Sequence, residues 1–80
     1  MGIEKEKVSA LFGCHLRAAR KDKGLSQEEL AARAGIDRTY ISSCERGKRN
    51  VTLDIIYRLS NALDISSKEL IPDNAELDLK

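Results

Sequence analysis

The fold is decided by residues 26–47, which read SQEELAARAGIDRTYISSCERG. Ser26 followed three residues later by Glu29 is the capping-box pattern that opens a helix. Gly35 ends that helix early, because glycine readily takes the left-handed backbone conformation found just past helix ends. Asp37 can cap another helix almost at once, and the final glycine of the stretch ends it. The stretch therefore predicts two short helices joined by a tight turn.

Two short helices joined by a turn built on glycine form a helix-turn-helix. Ala31 is expected to face the second helix where the two cross, since a larger side chain there would push them apart. Ile36, Ile41 and Cys44 are expected to fill the wedge between the helices. This combination of small, glycine and apolar positions is far more specific than a lone glycine motif.

Helical patterns also flank this stretch. Apolar residues from Val8 to Ala19 recur at three- and four-residue steps, which indicates a first helix. Thr52 or a neighbour is expected to cap a fourth helix, in which one apolar stripe faces the core. That stripe consists of Leu53, Ile56, Leu59 and Leu63. Strand-like alternation is not convincing anywhere in the sequence.

A second capping-box pattern follows the fourth helix. Ser66 and Glu69 predict a short fifth helix, which Pro72 prevents from continuing. The predicted class is therefore all-α, with five short helices. We expect one domain over residues 1–72, with its helix-turn-helix core at 26–46, and a flexible acidic tail over 73–80.

Composition limits the possible functions. The 80 residues are 41% hydrophobic and 34% charged, which suits one small folded domain. The net charge is only +1, yet residues 1–50 carry +4 and residues 51–80 carry −3. This asymmetry indicates an anionic partner for the first part and a different contact for the second. His15 is expected to be a half-buried residue of the first helix and not a pH sensor.

Several classes of function are not expected. Two cysteines and one histidine are too few for a four-ligand Cys/His zinc site, and no catalytic spacing is present. We therefore expect no enzyme activity, metal, cofactor or small-molecule ligand. The sequence has neither a membrane-spanning run nor a signal peptide, so a cytoplasmic protein of bacterial or phage origin with reduced thiols is expected.

The sequence resembles a known family. The runs GLSQEELA (24–31), AGI (34–36) and YISSCERG (40–47) resemble the phage repressor/Cro type of helix-turn-helix domain, the XRE family. The resemblance spans roughly residues 8–71 and implies a lambda-repressor-like fold. A narrower match, DRTYIS (37–42) followed by ERGKRN (45–50), is similar to the controller proteins of restriction–modification systems. Those are stand-alone dimeric domains of about this length that regulate their own operon.

The resemblance implies a role for each matching position. The helix beginning after Asp37 would lie in the major groove of double-stranded DNA. Its base-contacting residues would be Arg38, Thr39, Tyr40, Ser42 and Ser43, together with Arg49. The phosphate contacts would be Gln27, Arg46, Lys48 and Asn50. Arg20 and Glu45 match a buried ion pair that ties the first helix to the third.

The fourth helix carries more apolar surface than one small core needs. Ile55, Ala62 and Ile65 lie off the core stripe, and a second copy of the chain would bury them. The function expected from the sequence is therefore a homodimeric regulator of transcription that binds a pseudo-palindromic operator, as a restriction–modification controller does. Two alternatives are a protein-interaction module, such as an antitoxin subunit or adaptor, and a nonspecific architectural DNA binder. The low net charge argues against the latter.

Overall fold

The computed structural model describes residues 3–78; the ends of the predicted domain and tail, residues 1–2 and 79–80, lie outside it. The described part is built from four α-helices and one short 3-10 helix, and it contains no strand. The α-helices are α1 (Lys5–Asp22), α2 (Gln27–Ala34), α3 (Arg38–Glu45) and α4 (Leu53–Leu63), and the 3-10 helix covers Ser67–Glu69. The predicted all-α class is confirmed.

One apolar core joins all five elements. α3 packs against both α1 and α2, and α4 packs against α2 and the 3-10 helix. The largest fully buried side chains are Leu16, Leu30, Ile41, Cys44, Leu59, Leu63 and Leu70. Because α1 and α4 add side chains to the same core, they support the helix pair α2–α3 on its buried side.

The helix-turn-helix forms as the local sequence dictates. The Ser26 hydroxyl accepts from the Glu29 N–H at 3.0 Å, and the Glu29 carboxylate accepts from the Ser26 N–H at 2.8 Å. Gly35 has φ 68° and ψ 36°, a left-handed conformation that costs a non-glycine residue free energy. The Ile36 N–H then donates to the Ala31 carbonyl at 3.0 Å, which closes the turn. The predicted capping box and glycine stop are both confirmed.

The short fifth helix predicted after Ser66 is present as a 3-10 helix and not as an α-helix. The Ser66 hydroxyl accepts from the Lys68 N–H at 3.3 Å, one residue earlier than a capping box requires. The chain between Ser67 and Glu69 therefore makes one 3-10 turn, and the Leu70 N–H donates to the Ser67 carbonyl. This tight turn is followed directly by Leu70, which is fully buried in the core.

The predicted core stripe of α4 is wrong at one position. Leu59 and Leu63 are buried and Ile56 is half-buried, but Leu53 is 69% exposed. Leu53 is the first residue of the helix, and it shares its exposed side with Tyr57, four residues later. Helical spacing alone does not tell whether the terminal member of such a stripe reaches the core.

α1 approaches the end of α3 very closely at Gly13. A Cβ atom built on Gly13 would overlap the Cys44 carbonyl oxygen and lie 2.9 Å from the Glu45 carbonyl oxygen. Glycine at this position therefore sets the distance between the two helices. This close approach also brings Arg20, on the next turns of α1, to Glu45.

Residues 73–78 form a second turn beyond the core, which we call the C-terminal turn. The Glu76, Leu77 and Asp78 N–H groups donate to carbonyls three residues earlier. Lys7 and His15 of α1 contact this turn through Asp78 and Glu76. The flexibility expected of the tail stays a prediction. Within residues 3–78, none of the helices combines the length and apolar character needed to cross a bilayer.

Candidate nucleic-acid interface

The outer side of α3 is polar. Ile41 and Cys44 are fully buried, so the opposite side of this eight-residue helix faces away from the core. Arg38 and Thr39 are exposed there, and Ser42 is half-buried. The helix also begins at this end, where unpaired N–H groups and the helix dipole favour an anionic partner.

Asp37 fixes the first turn of α3. Its Oδ1 atom accepts from the Thr39 N–H at 3.0 Å and from the Thr39 hydroxyl at 2.9 Å. The backbone hydrogen bond from Thr39, followed by the hydroxyl bond, lowers the pKa of Asp37. Because its hydroxyl is engaged by Asp37, Thr39 is held in one orientation at the start of the helix.

A chain of hydrogen bonds connects Arg38 to the interior. Its guanidinium Nη1 donates to the Gln27 side-chain oxygen at 3.4 Å, and the Gln27 amide nitrogen donates to Glu45 Oε1 at 3.1 Å. Gln27 is the first residue of α2, and Arg38 is the first residue of α3. The sequence assigned separate DNA contacts to these two residues, and the structure joins them.

The predicted ion pair between Arg20 and Glu45 supports this chain. Arg20 Nε lies 2.6 Å from Glu45 Oε2, and Nη2 lies 2.9 Å from Oε1, so the guanidinium grips both carboxylate oxygens. A third bond runs from Arg20 Nη1 to the Leu25 carbonyl at 2.8 Å. Both side chains are largely buried, at 10% and 4% exposure.

Burial and pairing act in opposite directions on the Glu45 carboxylate. Burial alone would raise the pKa of Glu45, but the hydrogen bonds from Arg20 and Gln27 outweigh it and lower the pKa. On Arg20, the hydrogen bond to Glu45 is the main cause of a raised pKa. The pair is therefore ionised throughout the physiological range, and Gln27 hydrogen-bonds to a fixed anion.

Arg49, in the loop after α3, is held against that helix. Its Cζ atom lies 5.0 Å from the centre of the Tyr40 ring, within the range of a cation–π interaction. Its Nε atom also donates to the Ser43 hydroxyl at 3.2 Å. The expected outward position of Ser43 is wrong: the residue is only 9% exposed.

Three other basic or polar side chains follow α3 in the chain. Arg46 is exposed, and its Nη1 donates to the Ser42 hydroxyl at 3.0 Å, one helical turn back. Lys48 and Asn50 are exposed in the loop between α3 and α4. Lys48 and Asn50 lie next to Lys5 and Glu6 at the start of α1.

The two thiols lie in different environments. Cys44 is fully buried behind α3, and burial raises its pKa to about 11 even though Arg49 acts in the other direction. Such a thiol is a poor nucleophile and a poor metal ligand. Cys14 is exposed on α1. In residues 3–78, no three His, Cys, Asp or Glu side chains are grouped as a metal site requires.

Comparison with known proteins identifies the arrangement. The family model HTH_3, described as helix-turn-helix, matches residues 16–70, which is more than half of the chain. The chain belongs to this helix-turn-helix family. The resemblance to repressor/Cro-type domains is thereby confirmed, and the chain is a DNA-binding transcriptional regulator of the helix-turn-helix type.

The relatives include controller proteins. The control protein C.MunI from Mycoplasma sp is 49% identical over 67 residues, covering 82% of this chain and 90% of that protein. An uncharacterised HTH-type transcriptional regulator, y4dJ from Sinorhizobium fredii, is 44% identical over 66 residues, with coverage of 82% and 86%. The crystal structure of the restriction-modification controller protein C.AhdI from Aeromonas hydrophila superposes with a TM-score of 0.77. It is 51% identical and covers 79% of this chain and 96% of that one.

Proposed function

We propose that this chain is a homodimeric regulator that reads a pseudo-palindromic operator, with one α3 helix in the major groove of each half-site. The observation that carries this proposal is the hydrogen-bonded chain from Arg20 through Glu45 and Gln27 to Arg38. It connects the exposed Arg38 guanidinium at the start of α3 to the buried ion pair, through a 3.4 Å hydrogen bond to Gln27. A preset side chain loses less conformational entropy on binding than a free one.

Base reading is assigned to the first turns of α3. Arg38 can donate two parallel hydrogen bonds to guanine O6 and N7, which is the commonest specific contact in the major groove. Thr39 is positioned by Asp37, so its methyl group can meet a thymine methyl. Tyr40, Ser42 and Arg49 complete the proposed base-contacting set. The buried Ser43 supports Arg49 and no longer belongs to this set.

Phosphate contacts are assigned to the border of this surface. Gln27 lies at the N-terminus of α2, where the helix dipole attracts an anion, and its amide would bridge Arg38 and a phosphate. Arg46, Lys48 and Asn50 would contact the backbone on the loop side. Such contacts position a protein on DNA without reading its sequence.

One titration series tests the assignment of roles. Arg38→Ala is expected to cost about 1–3 kcal/mol on the cognate operator and to relax the preference at one base pair per half-site. Lys48→Ala is expected to weaken cognate and random DNA alike and to reduce the salt slope by about one unit per contact. Binding would be measured by fluorescence anisotropy at several salt concentrations.

Arg33→Ala serves as the matched control, because Arg33 is an exposed arginine at the far end of α2. It should leave both affinities close to wild type. Equal weakening of cognate and scrambled DNA by Arg38→Ala would make Arg38 a phosphate contact. If neither Arg38→Ala nor Lys48→Ala changes DNA binding, α3 does not face DNA in this protein and the protein-interaction alternative replaces the proposal.

The proposed dimer is built on α4. Ile55 and Ala62 are half-buried on one flank of α4, and the half-buried Ile65 follows just beyond the end of the helix, so a partner can cover what the core leaves exposed. The opposite flank carries Leu53 and Tyr57, which are 69% and 60% exposed. Relatives named as controller proteins favour a dimer by analogy, and the half-buried flank is the one we assign to it.

A matched pair of charge substitutions separates the two flanks. Ile55→Asp is expected to shift the protein toward monomer and to weaken operator binding, whereas Leu53→Asp should do neither. Analytical ultracentrifugation at tens of micromolar reports the oligomeric state, and circular dichroism checks that each variant keeps its helices. If Leu53→Asp gives a monomer and Ile55→Asp does not, the dimer interface lies on the Leu53 flank. A monomeric wild type would contradict the proposed dimer.

The regulated system is proposed from the relatives. C.MunI and C.AhdI are named as restriction-modification controllers, and the match covers most of their length. We infer that this chain controls such a system and acts in the cytoplasm, where its operator DNA is found. No ligand or cofactor is proposed, so regulation would follow from protein concentration and cooperative binding. The identity of the adjacent gene tests this: a methyltransferase or endonuclease gene supports the controller assignment.

A further inference from the structure

A small cavity lies between α1, α4, the loop after α3 and the segment that follows the 3-10 helix. Its volume is about 110 Å³. Most of its wall is apolar and consists of Val8, Phe12, Val51, Ile56, Ile71 and Pro72. Phe12 and Pro72 are buried whereas Ile71 is exposed, so the cavity reaches from the core to the surface. An apolar group that enters such a cavity is removed from water and gains free energy.

The rest of the cavity wall is polar and carries positive charge. Ser9, Arg49 and Asn50 complete the wall, and each of these side chains can donate a hydrogen bond. Among the described residues that line the cavity, Arg49 is the charged one and there is no carboxylate. An anionic group is therefore favoured at this wall, and a cation is not.

These donors are not used by the fold itself. Arg49 donates from Nε to the Ser43 hydroxyl, which leaves Nη1 and Nη2 without a hydrogen bond to any of residues 3–78. The side chains of Ser9 and Asn50 likewise bond to no other side chain or carbonyl in the described part of the chain. Ser9 is only 8% exposed. Its hydroxyl still has access to solvent, since every sealed side-chain N or O atom in residues 3–78 has a partner.

We propose that this cavity binds a short, branched-chain carboxylate. The hydrocarbon tail lies against the apolar wall, and the carboxylate accepts two parallel hydrogen bonds from Arg49, with Ser9 and Asn50 as further donors. An apolar cavity of roughly 150 Å³ accommodates the six carbons of benzene, so a tail of about four carbons fits here. The sequence predicted no small-molecule ligand, and the proposed function includes none, so this site goes beyond both.

A carboxylate in the cavity is expected to oppose DNA binding. The proposed function assigns Arg49 to a base and Asn50 to a phosphate, and a bound carboxylate occupies the same donors. It also neutralises the charge that attracts DNA. This effect on DNA rests on the proposed function, whereas the ligand site itself does not.

Titration of the full chain with isovalerate, followed by NMR at neutral pH and constant ionic strength, tests the site. Isovalerate has a four-carbon tail. We expect saturable shifts of the Val8, Val51, Ile56 and Ile71 amides and of the Arg49 Nε–H, with a Kd of about 1 mM. Acetate lacks the tail and isovaleramide lacks the charge, so each should bind about tenfold more weakly.

The two comparison compounds decide the chemistry of the ligand. Equal binding of acetate would show that the surface merely attracts anions, and equal binding of isovaleramide would show that the charge is not recognised. Either result, or the absence of shifts with isovalerate, would overturn the proposal.

Substitutions locate the site. Arg49→Gln, at an exposed position, should weaken isovalerate to the level of isovaleramide and leave isovaleramide unchanged. Arg46→Gln is the matched control, because Arg46 is an exposed arginine that does not line the cavity, and it should bind isovalerate as the wild type does. Val8→Phe fills the cavity and should abolish binding of both compounds. Wild-type isovalerate binding in Arg49→Gln, or in a folded Val8→Phe, would overturn the site.

Fluorescence anisotropy with operator DNA separates the ligand site from the proposed function. Isovalerate at ten times its Kd should weaken operator binding about tenfold relative to acetate at the same ionic strength, as expected for direct competition. If the operator binds equally well with either compound, the competition is wrong. If the protein without ligand does not bind DNA, the proposed function fails, and the ligand site is judged by the NMR titration alone.

Discussion

The surface around α3 and the exposed flank of α4 consist of different kinds of side chain. Around α3, the polar side chains are bonded to one another: Arg38 to Gln27, and Arg49 to Ser43 and the ring of Tyr40. On α4, Leu53 and Tyr57 present mostly exposed apolar surface. Beside them, Asp54 and Arg58 form an exposed ion pair with a 3.1 Å contact.

The difference shows how one small domain can hold two kinds of contact. Polar groups that are already oriented lose little entropy when a charged partner binds, which favours specificity. Exposed apolar groups need no orientation, and they gain free energy from any partner that removes them from water. The α3 surface is therefore expected to be sensitive to single substitutions, and the exposed side of α4 is expected to tolerate them when the chain is a monomer.

The largest effect is expected at the base of the α3 network. Arg20→Ala removes the partner of the buried Glu45 and leaves an uncompensated charge, which should lower the free energy of unfolding by about 3–5 kcal/mol. Urea denaturation followed by circular dichroism measures it. Lys21→Ala, at an exposed position next along α1, is the control and should change stability by less than about 0.5 kcal/mol. Similar small losses in both variants would show that the pair contributes little.

Acid should weaken the same network through Glu45. Because the pKa of Glu45 is lower in the folded chain than in the unfolded one, the unfolded state binds the proton first as the pH falls. The stabilisation is complete above the ordinary glutamate range and is lost as the pH falls through the lowered pKa. Glu45→Gln should therefore flatten the loss of stability below about pH 4.3. Parallel curves for wild type and variant would contradict this.

A smaller effect is expected behind α3. Cys44→Ser places a hydroxyl in the fully buried wedge between α2 and α3, where no partner is assured, and should cost about 1–3 kcal/mol. Cys44→Ala removes the sulfur without adding a polar group and serves as the comparison. Thermal denaturation in reducing and oxidising buffer should give the same midpoint for the wild type. A clear rise on oxidation would contradict the expected absence of an internal disulfide.

The smallest effect is expected on α4. Leu53→Ser replaces an apolar side chain that is 69% exposed, so the stability of the monomer should change by less than about 0.5 kcal/mol. Urea denaturation at sub-micromolar concentration isolates the monomer. A loss comparable to that of a core leucine would mean that Leu53 is buried in solution, and the contrast between the two surfaces would then be incorrect.

Local signals predicted the helix-turn-helix because its turns are determined by neighbouring residues. Ser26 with Glu29, and Gly35, act within one or two turns of chain, and both formed as the sequence indicated. The same capping-box pattern at Ser66 did not produce an α-helix. The chain there makes a 3-10 turn, and Leu70 after it is buried. The sequence analysis predicted no turn at Asp73 and Glu76. There the Glu76 carboxylate accepts from the Asp73 N–H, and the Asp73 carboxylate accepts from the Ala75 N–H.

The side-chain network was only partly visible in the sequence. The Arg20–Glu45 pair was identified from the family resemblance, and its geometry is as expected. The bridging position of Gln27 depends on how α2 and α3 meet in space, which spacing along the chain does not encode. Ser43 was misplaced for a similar reason: the sequence does not show that it is buried, with its hydroxyl accepting from the loop residue Arg49.

Gly13 has a consequence for how this sequence can vary. Any side chain at position 13 would collide with the backbone of α3, and rigid carbonyl groups cannot move aside as a flexible side chain can. A library of all twenty residues at position 13, selected for operator binding, should return glycine almost alone. The same library at the exposed Ala18, one and a half turns further along α1, should return most helix-forming residues. α1, to which no DNA contact is assigned, would thus contain one of the least replaceable residues of the domain.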